Sequence, residues 1–150
     1  MQKKIRIKNE NELERIAKMI LQLKKKNESL IVLLFGDLGV GKTTLTKKLA
    51  YCMNINEEII SPTFSILNEY HNSSCSLFHF DLYRLNSYND FIESFDINEY
   101  LNKKAIVVIE WPEKILDILP PEKIIIKLEY GANEDERLVY FFPKNSDKCI

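Results

Sequence analysis

The chain has 150 residues, 45% of them hydrophobic, and a formal net charge of −1. That length suits a single domain with a sizeable core, and the balanced charge gives no bulk electrostatic basis for binding nucleic acid or a membrane surface. The three cysteines, Cys52, Cys75 and Cys149, form no C-x-x-C pair and have no metal-ligand spacing, which fits a reduced, cytoplasmic setting.

Along the chain, Ile5 and Ile7 alternate with charged residues and predict a short strand over Lys3 to Ile7. The basic start, Met1 to Lys4, is followed by no apolar signal segment, and no apolar run approaches the ~20 residues of a membrane span. Asn9 or Asn11 can cap a helix whose buried face is Leu13, Ile16, Ala17, Ile20, Leu21 and Leu23. Leu30 to Phe35 is continuously apolar and predicts a fully buried strand; Thr43 to Met53 predicts a helix. Thr63 to Tyr70 and Ser76 to Asp81 read as two strands of an antiparallel hairpin, joined by the turn residues His71 to Ser74. Tyr88 to Tyr100 reads as an interrupted helix. Ala105 to Ile109, ending in Glu110, reads as a central strand. Pro112, Pro120 and Pro121 leave room for one short helix, and Lys123 to Glu129 with Arg137 to Phe142 reads as a terminal hairpin around Gly131. The expected architecture is one α/β domain over residues 1–142, a mixed sheet flanked by helices, with parallel strands near the ligand and antiparallel hairpins beside them. Residues 143–150 form a polar tail expected to be disordered.

Between the buried strand and its helix stands Gly36-Asp37-Leu38-Gly39-Val40-Gly41-Lys42-Thr43, which fits G-x-x-x-x-G-K-[ST], the phosphate-binding loop. Three of the four glycines in the chain fall in this one segment, so composition does not explain it. Strand, glycine loop and helix are the context the motif requires. Backbone N–H groups from Asp37 to Thr44 would wrap a nucleotide's phosphates, with the positive end of the helix dipole behind them. Lys42 would reach the β/γ-phosphates and the Thr43 hydroxyl would ligate Mg²⁺.

Ligands in such sheets bind beyond the carboxyl ends of the strands, which selects Asp81 and Glu110. Each is either a solvated strand-end carboxylate or a group serving the metal and the attacking water. Thr63 reads equally as a switch threonine and as a turn residue. Trp111, the one tryptophan, either packs on the core or covers the nucleotide. His79 alternates with Phe78 and Phe80, points to the opposite sheet face, and reads as packed or solvated rather than catalytic. Arg84 is balanced between a phosphoryl partner and a surface ion pair; the spacing favours an ion pair for Arg137.

Four segments recur in order: the glycine loop through Thr44, Ser61-Pro62-Thr63-Phe64, His79-Phe80-Asp81-Leu82-Tyr83-Arg84-Leu85, and Ile109-Glu110-Trp111-Pro112-Glu113. Together they resemble the bacterial TsaE (YjeE) family of tRNA threonylcarbamoyladenosine biosynthesis proteins, over roughly residues 9 to 140. The resemblance implies a small cytoplasmic P-loop ATPase using ATP and Mg²⁺. It would work with the TsaB–TsaD complex to support threonylcarbamoyladenosine formation at position 37 of tRNA, meeting tRNA only through that complex. It further implies that Asp37 to Thr44 bind phosphates, that Thr43, Asp81 and Glu110 serve the metal, and that Asp81, Glu110, Lys42 and Thr63 serve catalysis. Trp111 and Arg137 would lie at the nucleotide. Val40 stands where the family usually has alanine, and Asp96 where it usually has glycine. Two other classes remain open from the residues: a P-loop kinase for a small acceptor, and a nucleotide-dependent binding module whose turnover is vestigial. Four unclustered arginines weigh against the kinase.

Overall fold

The computed structural model describes residues 2–143; the expected disorder of the tail beyond Pro143, and Cys149 with it, lie outside the described residues. Seven strands form one sheet in the order β1-β7-β6-β2-β5-β4-β3. They are β1 (Lys3–Ile7), β2 (Leu30–Phe35), β3 (Leu67–His71), β4 (Ser76–Asp81), β5 (Ile106–Glu110), β6 (Lys123–Tyr130) and β7 (Arg137–Phe142). The helices are α1 (Leu13–Leu23), α2 (Lys42–Cys52), α3 (Tyr88–Ser94) and α4 (Ile97–Leu101). The centre is parallel, with β2 between β5 and β6 and β4 beside β5. The flanks are antiparallel: β3 on β4, β7 on β6, and β1 on β7. This is the mixed sheet that the sequence predicts.

Every residue of β2 and β5 is buried, as expected for strands covered on both faces. On one face, Leu13, Ile16 and Ile20 of α1 and Leu45 and Leu49 of α2 pack on Val32, Leu34, Val108 and Ile126. On the other, Phe91 of α3 and Ile97 of α4 pack on Leu33, Phe78, Phe80, Val107 and Ile109. The two short helices replace the interrupted helix because Ser87 caps the first in a capping box with Asp90 and Asp96 caps the second. Asp96 has φ −98°, so this turn uses a side-chain cap and needs no glycine. The β3–β4 turn is closed by Asn72, whose Oδ1 accepts from the amides of Ser74 and Cys75 at 2.7 Å each.

Two expectations are corrected. The strand read from Thr63 begins only at Leu67, because residues 63–65 form a turn that closes with the Ile66 amide donating to the Pro62 carbonyl at 2.6 Å. The stretch between Pro112 and Pro120 holds two single 3-10 turns, Pro112–Lys114 and Leu116–Ile118, instead of one short helix. Ile115, at φ −125°, breaks the run between them.

Candidate nucleotide-binding site

β2 delivers the chain to the carboxyl edge of the sheet between β5 and β6, with β3, β4 and β5 to one side and β6 and β7 to the other. That is the switch point at which open α/β sheets bind ligands. Gly36, Gly39 and Gly41 all have positive φ, at +137°, +77° and +117°. At Gly36 a Cβ would stand 2.5 Å from the carbonyl oxygen of Leu128, so the loop can pass β6 only as glycine. Val40 is buried in the core under α2, and its amide donates to the Asp37 carbonyl at 3.3 Å.

Lys42 opens α2 and turns back into the loop. Its ammonium donates to the carbonyls of Gly36 and Asp37 at 2.6 and 2.9 Å and lies 4.3 Å from the centre of the Trp111 ring. Only 4% of the residue is exposed. Burial lowers its pKa, while the charges of Glu110, Asp81, Glu113 and Asp37 oppose that shift. The first turn of α2 contains no acidic residue, so no side chain of the helix itself competes for its first N–H groups.

The two carboxylates sit side by side, because Asp81 of β4 pairs in register with Glu110 of β5. Each has its own donors. Asp81 Oδ2 accepts from the hydroxyls of Thr63 at 2.7 Å and Ser61 at 3.1 Å, and its Oδ1 accepts from the Tyr83 amide at 3.1 Å. Glu110 Oε1 accepts from the Thr43 hydroxyl at 2.8 Å and lies 2.8 Å from Nε2 of His79. Leu38, Gly39, Gly41, Lys42, Thr43, Thr44, Ser61, Thr63, Asp81, Glu110 and Trp111 line one cleft. A roomier hollow of about 510 Å³ lies at the C-terminal ends of α1 and α2, but its lining has no carboxylate and no glycine loop, so size does not mark the site. Among the described residues no three His, Cys, Asp or Glu side chains form a metal cage. The oxygens of Thr43, Asp81 and Glu110 instead suit Mg²⁺ shared with a ligand's phosphates, which needs only one or two protein carboxylates.

Trp111 packs against the core beneath α3 and α4, as its first reading expects, and it also lines the cleft. Its φ of +57° is strained for a tryptophan, and the ring rests 5.0 Å from that of Tyr83. Arg137 braces the loop through the backbone. Its Nε donates to the Val40 carbonyl at 2.9 Å, its Nη1 to the carbonyls of Glu134 and Glu136, and its guanidinium stacks on Tyr130. Tyr130, which sequence reasoning missed, donates its hydroxyl to the Leu38 carbonyl at 2.9 Å. Arg84 stacks on the ring of Phe64, 4.1 Å from its centre. His79 was also missed as a site residue, although the alternation of β4 that separates it from Phe78 and Phe80 puts it on the face of Asp81.

A family model described as threonylcarbamoyl adenosine biosynthesis protein TsaE matches residues 7–139. The chain belongs to the TsaE family. A Rickettsia felis relative, described as tRNA threonylcarbamoyladenosine biosynthesis protein TsaE, is 38% identical over 144 residues, covering 95% of this chain and 81% of its own. A Bacillus subtilis relative of the same description is 36% identical over 140 residues, with 93% and 85% covered. The crystal structure of Bacillus subtilis YdiB superposes with a TM-score of 0.77 at 30% identity, over 99% of this chain and 88% of that one. This TsaE-family chain thus carries the four motif segments on the fold expected for them. No helix among the described residues is long and apolar enough to cross a membrane.

Proposed function

We infer that this member of the threonylcarbamoyladenosine biosynthesis family is a Mg²⁺-dependent ATPase. It acts in the cytoplasm with the TsaB–TsaD complex to support modification of tRNA position 37. One observation carries the ATPase reading: a buried lysine held inside a glycine loop, facing two carboxylates that each hold a hydroxyl lining the same cleft.

The loop amides and the start of α2 bind the phosphates, and Lys42 exchanges its two carbonyl partners for phosphate oxygens. Mg²⁺, when bound, neutralises developing charge on the phosphates. Thr43 orients its hydroxyl between Glu110 and the ligand. Asp81 and Glu110 supply oxygens that orient a water for attack on the terminal phosphorus. Ser61 and Thr63 tether the preceding segment to Asp81, so their hydroxyls sense what occupies the cleft. Trp111 covers the ammonium of Lys42 and limits water around it.

Hydrolysis is favoured over transfer to a small acceptor because no arginine is among the residues that line the cleft. Arg6 pairs with Glu136, Arg15 is exposed on α1, Arg84 stacks on Phe64 and Arg137 braces the loop backbone. The test is ATP turnover beside ADP binding in Asp81→Asn and Glu110→Gln. Each variant is expected to bind ADP and lose turnover by about 10²-fold or more, the scale of removing a positioned acid or base. Wild-type turnover in both would reject the roles given to the carboxylates.

A further inference from the structure

His79 is a buried polar group in contact with a candidate catalytic carboxylate to which the ATPase reading assigns no task. It lies within β4, opposite Val108 of β5, and is fully buried. Its Nε2 stands 2.8 Å from Glu110 Oε1, while its Nδ1 is buried with no partner. A leucine or phenylalanine would fill the same layer without stranding a polar atom. The chain carries histidine there for the one bond it makes.

That bond has a defined direction. An ionised carboxylate only accepts, so Nε2 carries the proton and donates to Oε1. With Nδ1 as the bare nitrogen no buried N–H is stranded, and the Nε2–H tautomer satisfies the site. Glu110 Oε1 is then gripped from two sides, by the Thr43 hydroxyl at the cleft and by His79 from the core. Among the described residues none donates to Oε2. The Thr43 hydroxyl lines the cleft, whereas His79 is fully buried and outside its lining.

We propose that His79 is a positioning residue for Glu110, fixing the rotation of its carboxylate so that Oε2 is the oxygen presented to the cleft. The catalytic consequence rests on the ATPase reading; the bond and its tautomer do not.

The test uses wild type, His79→Gln, which keeps an N–H near the Nε2 position, and His79→Leu, which keeps volume without a donor. In ligand-free wild type, ¹⁵N NMR of the ring is expected to find Nε2 protonated and Nδ1 bare, with the Nε2–H signal moving in Glu110→Gln. The fluorescence of Trp111, the only tryptophan and next to Glu110, reports a Mg²⁺ titration of the ADP complex. In His79→Leu the Mg²⁺ midpoint is expected to rise by about 10–100-fold, the usual loss when a partner that orients a ligand is removed. ADP affinity without metal is expected to hold, and kcat to fall with KM little changed. His79→Gln is expected to recover most of both. A protonated Nδ1 in wild type, or a folded His79→Leu with wild-type Mg²⁺ midpoint and kcat, would overturn the proposal. Should His79→Leu not fold, the ring-nitrogen signals of wild type decide alone. A wild type without ATP turnover would reject the ATPase reading only, leaving the ring-nitrogen and Mg²⁺ measurements to judge His79.

Discussion

Gly36→Ala should be among the most costly single-methyl additions in this protein. The backbone there has φ +137°, and the new Cβ would meet the Leu128 carbonyl oxygen at 2.5 Å and a Val40 methyl at 2.9 Å. Leu128 belongs to β6, clamped between β2 and β7, so its carbonyl cannot retreat without disturbing two strand pairings. Holding an alanine in that region costs about 1–3 kcal/mol. Forcing the methyl against fixed backbone costs a further ~1–3 kcal/mol, and the stiffer unfolded chain returns ~0.4–1. The expected loss is about 1–6 kcal/mol, centred near 3, and that centre corresponds to roughly 6–12 °C in melting temperature for a chain of this size. Urea unfolding measures the first quantity and thermal unfolding followed by circular dichroism the second. A loss under ~1 kcal/mol at Gly36 would refute the close passage of the loop over β6.

Two further outcomes follow from the groups around the loop. Arg137→Ala removes a half-buried brace from the Val40 carbonyl and should weaken ADP binding by about tenfold, near 1.4 kcal/mol, in isothermal titration; unchanged affinity would show that the loop keeps its shape unaided. Burial lowers the Lys42 pKa below its free value of 10.5, so the unfolded chain holds that proton more tightly than the folded one. The resulting penalty is present in full below the folded pKa and relieved as pH rises toward about 10.5. Urea stability of ligand-free wild type, measured against Lys42→Met, should therefore improve with pH across that alkaline window; a flat difference would contradict the burial penalty.

The parts legible in the sequence were those written in local chemistry. A glycine cluster in a glycine-poor chain marked the loop, and unbroken apolar runs marked β2 and β5 as central strands. Strand ends then selected Asp81 and Glu110, which the register sets side by side. The misreadings came from tertiary contacts. Thr63 to Ile66 has strand-forming residues, yet Asp81 grips the hydroxyls of Ser61 and Thr63. Ile66 takes φ +68° where the segment turns, and Phe64 is left 83% exposed. No periodicity announces a bond to a carboxylate some 20 residues away. Tyr130 gives no local signal, because its hydroxyl bonds to the Leu38 carbonyl 92 residues earlier and its ring carries the Arg137 guanidinium. His79 was within reach: the i, i+2 relation to Asp81 was in the sequence, but only the diagonal contact to Glu110 on the next strand gives it meaning.

The most direct test of the central claim is Mg²⁺-dependent ATP hydrolysis by the purified protein, alone and with TsaB–TsaD from the same organism. The account predicts turnover that the pair strongly activates and that Glu110→Gln abolishes. Tight ADP binding with no turnover, with or without the pair, would contradict it and leave a nucleotide-dependent binding module in place of an ATPase.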